Sequence, residues 1–402
     1  METSDGGLTP LLSPPGGTPP LIDTLDGVRD AIVRLGASAG PVALDAERAS
    51  GFRYGQRDYL VQLNRRGAGT VLIDPIAVTD LGPVADALGD AEWVLHAAAE
   101  DLPGLQDLGM RPATLFDTEL AGRLLGYPRT SLGTLVGELL GYRLAKAHSA
   151  ADWSTRPLPD SWRDYAALDV EVLLDLRDAL EERLAAAGKT EIAAQEFEAL
   201  RVTPPPPPRA EPWRRTSGSH QIRDTRRLAV LRSLWNARDA VAQRLDLAPG
   251  RVAADSTLVH AAEAMPRNAQ DLRHIKGLVR RDTGVPASYW LSAIEDARRL
   301  PRSALPTQRG PMRVGPPPPR LWPERSQAAA ERLTEARQQI AQLAVDQSIP
   351  VEYLALPAMV RQILWDAPED VEEAMLEAGA RPWQRQLVGP ILADAIAAHP
   401  GM

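Results

Sequence analysis

The spacing of hydrophobic positions changes along the chain and predicts which elements form. Within residues 20–100, most apolar runs have strand spacing, and two stretches, GVRDAIVRL and VTDLGPVADAL, have helical spacing. The predicted strands are PVALDAE, DYLVQLN, GTVLIDP and EWVLHAA. From AEDLPGLQDL onward helices dominate. Hairpin-like strands, then mixed elements, then helices predict an α/β domain with a mixed sheet flanked by helices.

The remainder of the chain shows only helical periodicity. Long helices are predicted for TRRLAVLRSLWNARDAVAQRL and ERLTEARQQIAQLAVDQ, and each leads through a proline-containing turn into shorter helices. We therefore expect two small all-α bundles that are diverged copies of each other.

Two proline runs, TPPPPPRAEP and GPPPPRLWP, divide the chain. They cannot continue a helix or a sheet and predict stiff extended linkers. The predicted organisation is a disordered segment at 1–19, an α/β domain at 20–202, a linker at 203–214, a helical domain at 215–300, a linker at 301–323 and a helical domain at 324–402.

The composition, 44% hydrophobic and 24% charged, is ordinary for a globular protein. There is no cysteine, which excludes disulfides and thiolate metal sites. The N-terminus lacks the basic and apolar regions of a signal peptide, and no apolar run approaches the ~20 residues of a membrane span. We expect a cytoplasmic monomer without a membrane partner.

The net charge of −8 is unevenly distributed. Residues 1–208 carry 18 basic and 31 acidic side chains, whereas residues 209–300 carry 17 basic and 10 acidic ones. A cation site followed by a phosphate-binding surface would give this distribution. Solvated helix faces of uneven charge would give it too, and composition does not separate the two interpretations.

The stretch PVALDAERAS places two carboxylates at the end of an apolar run. Residues i and i+2 of a strand lie on one face, so Asp45 and Glu47 are expected side by side. Like charges this close destabilise the fold unless a cation or a proton lies between them. The pair therefore indicates a cation site, although D-x-E pairs also occur by chance.

Further acidic residues lie where a metal site would need them. Asp101 follows the strand EWVLHAA at the start of a helix, where its ordinary role would be an N-cap. Tyr165 and Asp169 are four residues apart on a predicted helix and share a face that points at protein. An ionised Asp there needs a partner. The ordered series D-x-E, H-x(4)-D and Y-x(3)-D is more specific than any of its parts.

The series resembles the ribonuclease D family, in the Tyr-containing branch of the DEDD superfamily of 3′–5′ exonucleases. The corresponding segments are VALDAERASGFRYGQRDYLVQL, VLHAAAEDLPGL and DYAALDVEVLLDL, and the resemblance covers about residues 20–200. It implies a ribonuclease H-like exonuclease domain. The block at 215–300 is similar to the helicase-and-ribonuclease-D C-terminal (HRDC) domain, and 324–400 is similar to a second, weaker copy.

The resemblance implies catalysis with two divalent metal ions, Mg²⁺ or Mn²⁺. It implies that Asp45 bridges both ions, that Glu47 and Asp169 complete the first site, and that Asp101 holds the second. Tyr165 would orient the attacking water, because a phenol with an unperturbed pKa near ~10 is a poor base at neutral pH. Spacing alone favours the alternative, a half-buried aromatic with a satisfied hydroxyl.

Other residues near the motifs are candidates for holding the nucleic-acid strand. These are Lys146, Trp153, Arg156, Arg273, Lys276 and Arg280, and packing or surface charge is the alternative for each. His96 could be a proton shuttle, but we interpret it as a hydrogen-bonded structural histidine. Ala46 stands where the family often has Thr, which removes a hydroxyl near the substrate end.

The sequence thus predicts a 3′–5′ exoribonuclease acting on an unpaired RNA 3′ end, in tRNA 3′ maturation or structured-RNA turnover. Two alternatives stay open: a 3′–5′ exonuclease acting on DNA in repair, and a non-catalytic nucleic-acid-binding scaffold. Clustered carboxylates repel phosphate, which argues against the scaffold. Contacts to the 2′-OH would separate RNA from DNA.

Overall fold

The computed structural model describes residues 7–145, 148, 150–310 and 315–401. Its strands are β1 (Thr9–Leu11), β2 (Leu21–Ile22), β3 (Val42–Arg48), β4 (Asp58–Arg65), β5 (Gly69–Ile73), β6 (Glu92–Leu95), β7 (Thr114–Asp117) and β8 (Tyr142–Leu144). The helices of the first domain are α1 (Leu25–Ala37), α2 (Gly82–Leu88), α3 (Leu102–Asp107), α4 (Thr118–Leu124), α5 (Leu132–Leu140), α6 (Asp160–Glu171), α7 (Leu173–Ala186) and α8 (Thr190–Val202).

The helices of the middle block are α9 (Thr225–Leu245), α10 (Pro249–Val252), α11 (Asp255–Ala264), α12 (Ala269–Arg273) and α13 (Ala287–Arg299). Those of the last block are α14 (Trp322–Arg325), α15 (Gln327–Gln347), α16 (Val351–Leu354), α17 (Pro357–Asp366), α18 (Val371–Glu377) and α19 (Pro382–Ala398). Short 3₁₀ turns lie at Pro212–Arg215, Ser219–Gln221, Arg302–Ala304 and Pro319–Leu321. None of the helices in these residues combines the length and apolar character that a bilayer crossing requires.

Six strands form one mixed sheet in the order β2–β5–β4–β3–β6–β7. β3, β4 and β5 are antiparallel neighbours, whereas β6 and β7 run parallel to β3, and β2 pairs parallel with β5. β1 and β8 form a separate parallel pair. The pairing of β3 with β6 covers only Val42 and Ala43, so the C-terminal half of β3 is paired with β4 alone.

Helices cover both faces of this sheet. α1 begins after Thr24, whose hydroxyl accepts a hydrogen bond from the Gly27 amide, and it buries Val28, Ala31 and Leu35 at helical spacing. These residues share a core with α2, α3 and one face of the sheet. α4, α5, α7 and α8 share a core with the other face, where α6 also packs. The predicted mixed sheet with flanking helices is therefore confirmed.

Several details of the first domain differ from the sequence-based expectation. Residues 9–11 form β1, although the composition predicts a disordered start. β7 lies in TLFD, within the region where the sequence predicts mainly helices. The strand has only four residues, three of them buried, and is too short to show a period. β6 ends at Leu95, so His96 follows the strand instead of ending it.

The two C-terminal blocks repeat the same order of helix lengths, as the sequence predicts. α9 and α15 have 21 residues each, α10 and α16 have four, and α11 and α17 have ten. The middle block encloses a core of its own around Trp290.

The last block, in contrast, shares its core with the first domain. Leu180 and Phe197 lie in the same apolar cluster as Trp383 of α19. At the edge of this cluster, the Arg381 guanidinium donates to the Glu196 carboxylate over 2.6 Å, and the Trp383 indole N–H donates to it over 2.8 Å. The α/β domain and the last block therefore pack around a common interior.

Candidate active site

Strand β3 presents the two carboxylates of the D-x-E motif on one face of the sheet. Val42 and Leu44 lie in the core beneath α1, so the alternate residues Asp45 and Glu47 lie on the opposite face, against which α6 and α7 pack. Because the pairing of β3 with β6 ends at Ala43, both carboxylates lie in the half of β3 that β6 does not cover.

Helix α6 brings a third carboxylate to this pair. Tyr165 and Asp169 lie one helical turn apart, with the Tyr165 hydroxyl close to the Asp169 carboxylate. Carboxylate oxygens of Asp45, Glu47 and Asp169 all lie within 4.8 Å of one another. Three acidic groups from separate parts of the chain thus converge on one small volume.

Asp101 completes the cluster from the loop between β6 and α3. It directly precedes α3, yet its carboxylate makes no cap bond to the described backbone of that helix. Instead it lies against Asp45 and 3.1 Å from the Arg48 guanidinium. The N-cap role is therefore not what holds Asp101 in place.

Polar residues beneath the cluster hold its members in position. The Gln62 amide donates to Asp45 Oδ2 over 2.6 Å from the neighbouring strand. Arg48 donates to the Glu100 carbonyl over 2.6 Å and lies 3.7 Å from Asp58, which is buried. A Cβ atom at Gly104 would lie 2.4 Å from an Asp58 oxygen, so only glycine fits there.

Burial raises the pKa of each of the four carboxylic acids above its ordinary value, and for Glu47, Asp101 and Asp169 the increase is large. The charge of Asp45 raises the pKa of the other three further. Hydrogen bonds from the Ala46 backbone and Gln62 oppose the shift at Asp45. When the four carboxylates are ionised, their negative charge is only partly compensated by nearby donors and cations. The cluster therefore favours a bound cation or protons.

The donor set fits divalent Mg²⁺ or Mn²⁺. All candidate ligands are carboxylate oxygens, which are the hard donors that these ions prefer. Asp45, Glu47 and Asp169 lie close enough together to bind one ion, and Asp101 contacts Asp45 from the other side. The structure thus brings Asp45, Glu47, Asp101 and Asp169 together, and their binding of metal ions stays a prediction.

The carboxylates line a large open cleft of about 1850 Å³. The loop after β3 forms one wall through Ser50, Gly51 and Phe52, and the start of α5 forms another. Leu8 and Leu12, which flank β1, also line the cleft. The N-terminal segment therefore contributes to the surroundings of the site.

His96 lines this cleft and is hydrogen-bonded, with Nδ1 2.9 Å from the Thr118 hydroxyl. Burial lowers the pKa of His96 to about 4. The ring is therefore neutral at pH 7, which agrees with the interpretation of a structural histidine.

One predicted contact with nucleic acid is wrong. Trp153 is 0% exposed and packs against Trp162 and Tyr165, so it cannot stack on a base. The Arg156 guanidinium donates to both oxygens of Asp74, over 2.7 and 2.8 Å, but its side chain is still 29% exposed, so its contact with nucleic acid stays a prediction. The sequence around a motif does not show which residues, distant along the chain, will contact a basic or aromatic side chain near it.

Lys146 lies outside the described residues. In the middle block, Arg273 and Lys276 are exposed, whereas Arg280 forms an ion pair with Asp282. Contact of these three side chains with nucleic acid stays a prediction.

Sequence reasoning missed three residues that support the cluster: Arg48, Asp58 and Gln62. The register of β3 and β4 places Gln62 opposite Asp45, so correct pairing of the predicted hairpin would have found it. Arg48 follows Glu47 directly, which is a signal available in the sequence. Asp58 is paired with Arg48 beyond a register shift in the same hairpin, and the sequence does not show where that shift lies.

Comparison with known proteins identifies the family. Models described as 3′–5′ exonuclease, HRDC domain and 3′ to 5′ exonuclease C-terminal domain match residues 19–185, 227–294 and 315–396. The chain is 33% identical to ribonuclease D of Gluconacetobacter diazotrophicus over 72% of its length and 75% of the relative. It is 32% identical to ribonuclease D of Escherichia coli over 66% of its length and 71% of the relative.

Two crystal structures resemble the whole chain. A protein from Bifidobacterium adolescentis superimposes with a TM-score of 0.89 at 39% identity, covering 97% of this chain and all of the other. Escherichia coli RNase D, described as an exoribonuclease involved in structured RNA processing, superimposes with a TM-score of 0.67 at 27% identity, covering 95% and 99%. The chain therefore belongs to the ribonuclease D family of 3′–5′ exonucleases.

Proposed function

We propose that the protein is a metal-dependent 3′–5′ exoribonuclease that removes nucleotides from the unpaired 3′ end of structured RNA, including tRNA precursors, as a cytoplasmic monomer. The observation that carries the proposal is the convergence of Asp45, Glu47 and Asp169 within 4.8 Å at the base of an open cleft. The names of the ribonuclease D relatives support RNA as the substrate.

Asp45, Glu47 and Asp169 would hold one divalent ion, and Asp45 with Asp101 would hold a second. Two such ions activate water and neutralise the charge that develops during phosphodiester hydrolysis. The large increase in the pKa of Glu47, Asp101 and Asp169 supports this assignment, because carboxylates that are hard to ionise alone are stabilised by added positive charge.

Tyr165 would orient the attacking water through its hydroxyl. Burial and the charges of Asp169 and Glu47 raise the pKa of Tyr165 well above the ordinary value for tyrosine. The phenol therefore stays protonated in the working pH range and acts as a hydrogen-bond donor, not as a base.

Arg48 is a fixed positive charge beside the cluster. It lines the cleft, and its hydrogen bond to the Glu100 carbonyl anchors the guanidinium close to Asp101. In this position it orients Asp101 and adds charge that favours an approaching phosphate.

The proposal is tested with 5′-labelled single-stranded RNA and DNA of one sequence, each incubated with Mg²⁺, Mn²⁺ or EDTA. Wild type is expected to shorten RNA from the 3′ end one nucleotide at a time, and EDTA or Asp45→Asn to prevent it. Asp86→Asn, which alters an exposed acid on α2, is the matched control. Equal degradation by wild type and Asp45→Asn would contradict the assignment, and degradation of DNA alone would favour the repair function.

The basic middle block supports additional phosphate contacts through Arg273 and Lys276. Deleting the C-terminal blocks would not test this, because the last block shares a core with the exonuclease domain. The double variant Arg273→Ala with Lys276→Ala keeps the fold, and we expect it to weaken RNA binding and to flatten the salt dependence. An unchanged salt dependence would remove these residues from the binding surface.

A further inference from the structure

The loop that follows β3 connects the metal-binding carboxylates to the HRDC block. Residues 49–57, called the β3–β4 loop below, begin two residues after Glu47. Ser50, Gly51 and Phe52 of this loop line the active-site cleft. Contacts that fix the conformation of this loop therefore also fix this wall of the cleft.

The segment around α10 of the HRDC block binds the cleft-lining part of this loop. The Ala248 amide donates to the Phe52 carbonyl over 2.9 Å, and Arg251 Nε donates to the Gly51 carbonyl over 2.8 Å. The Arg251 guanidinium also stacks on the Phe52 ring, 3.9 Å from its centroid. Two successive backbone carbonyls and one aromatic ring are thus bound by the HRDC block.

The far part of the loop is bound to the same block. The Tyr54 hydroxyl donates to the Asp239 carboxylate over 3.1 Å, and the Tyr54 ring packs against the HRDC core. The Gly55 amide donates to Asp246 Oδ1 over 3.3 Å, and Asp246 Oδ2 lies 3.8 Å from Arg57. The loop is therefore held from Gly51 to Arg57.

Inside the exonuclease domain, Phe52 has a second set of neighbours. It packs against the apolar cluster of β4 and α6 that contains Tyr59 and Ala166, and Tyr165 packs against the same cluster. The Phe52 ring therefore lies between Arg251 of the HRDC block and the layer that supports Tyr165. Removing the Arg251 side chain would free one side of this ring and the Gly51 carbonyl, whereas the Ala248 amide would still bind the Phe52 carbonyl.

We propose that Arg251 is a positioning residue for the exonuclease reaction, which holds the β3–β4 loop and Phe52 in the wall of the cleft where the 3′-terminal nucleotides bind. The HRDC block then completes the active site in addition to any contact it makes with distant RNA. This inference rests on the proposed function.

The experiment compares Arg251→Ala with Arg244→Ala, which removes an exposed arginine from α9 of the same block. Among the described residues, Arg244 forms no hydrogen bond or ion pair with the loop. The substrate is a trinucleotide RNA, which presents only the 3′-terminal nucleotides, and kcat and KM are measured with Mn²⁺ at about 50 and 200 mM salt. We expect Arg251→Ala to lower kcat/KM about tenfold at both salt concentrations, and Arg244→Ala to match wild type.

Phe52→Ala and the double variant Phe52→Ala with Arg251→Ala show whether the effect passes through the ring. We expect the double variant to resemble Phe52→Ala, because residues that act through one contact are not additive. Cleavage of bis(p-nitrophenyl) phosphate, which requires the metal-binding carboxylates and the attacking water, should be unchanged in the control Arg244→Ala. If Arg251→Ala is not folded at the assay temperature, Tyr54→Phe, which removes only the hydroxyl bound by Asp239, is the second variant.

Unchanged trinucleotide kinetics in Arg251→Ala and Tyr54→Phe would overturn the proposal. A defect that disappears at low salt would also overturn it, because that result would indicate simple charge attraction. Full additivity of the Arg251→Ala and Phe52→Ala effects would overturn it as well. If wild type itself does not degrade the trinucleotide or longer RNA, the proposed function fails, and this outcome is distinct from failure of the positioning role.

Discussion

The Arg48 guanidinium lies 3.1 Å from the Asp101 carboxylate and provides the cationic partner of that buried acid. Arg48 also lies 3.7 Å from Asp58, whose two oxygens are buried without a hydrogen-bond partner among the described residues. One arginine thus compensates two acids that come from different elements. Arg48 lies at the edge of the carboxylate cluster, whose negative charge is only partly compensated.

Arg48→Met is expected to destabilise the metal-free protein by about 3 kcal/mol, because it leaves buried carboxylates without their cationic partner. Mn²⁺ should then raise the melting temperature more in the variant than in wild type, since the ion supplies the missing charge. Thermal unfolding with EDTA and with Mn²⁺ measures both effects. Arg29→Met, in an exposed ion pair on α1, is the control. If Arg48→Met and wild type had the same melting temperature in EDTA, this would contradict the role of Arg48 as the cationic partner of the buried acids.

Asp45→Asn is expected to lower kcat about 10³-fold or more while the protein stays folded, because Asp45 contacts Asp101 and shares the metal volume with Glu47 and Asp169. Gln62 can still hydrogen-bond the asparagine, so the strand is preserved. Single-turnover hydrolysis of RNA and circular dichroism together test this. A folded variant with near wild-type kcat would exclude Asp45 from the catalytic site.

Metal should stabilise the protein more at high pH than at low pH. Burial raises the pKa of the four acids, so the folded state binds protons more tightly than the unfolded state. Without metal, stability therefore falls as pH rises from the ordinary carboxyl pKa through the raised folded values. Mn²⁺ replaces the lost protons, and we expect a larger shift in melting temperature at about pH 8 than at about pH 5.5.

Asp45→Asn provides the control for this pH effect, since it removes one of the repelling charges. Its metal-free melting temperature should fall less with rising pH than that of wild type. A shift with Mn²⁺ that is the same at both pH values, or larger at the acidic one, would contradict the idea that metal and protons compete for the cluster.

Tyr165→Phe is expected to lower kcat about 10²-fold with little change in KM, because only the orientation of the attacking water is lost. The raised pKa of Tyr165 further predicts that its hydroxyl does not ionise in the working range. The pH–rate profiles of wild type and Tyr165→Phe should therefore have the same shape up to about pH 9. Loss of a basic limb in the variant would indicate that Tyr165 acts as a base.

The local geometry of the site could be predicted from the sequence, because it follows from fixed repeats. The two-residue spacing of Asp45 and Glu47 places them on one face of a strand, and the four-residue spacing of Tyr165 and Asp169 places them on one face of a helix. Their convergence could not be predicted in this way. It depends on which elements pack together, and only the family resemblance indicated that.

Long-range packing explains the wrong prediction for Trp153, which fills a core between β4 and α6. Arg156 likewise pairs with Asp74, which is distant in sequence. Periodicity describes one element at a time and cannot show such contacts. The shared core of the first domain and the last block could not be predicted for the same reason, because two proline runs and the HRDC block separate them in the sequence.

The Glu196–Arg381 ion pair provides a test of that shared core. The Glu196 side chain is 5% exposed and accepts hydrogen bonds from both Arg381 and the Trp383 indole. Glu196→Ala leaves these buried donors without an acceptor, and we expect the free energy of unfolding to fall by about 3–5 kcal/mol. Glu198→Ala, two residues along α8 in an exposed pair with Arg201, should cost about 0–1 kcal/mol. Denaturant unfolding followed by tryptophan fluorescence should show one transition in wild type, because both parts share an interior. A separate transition for residues 315–401 in wild type would show instead that the last block folds on its own.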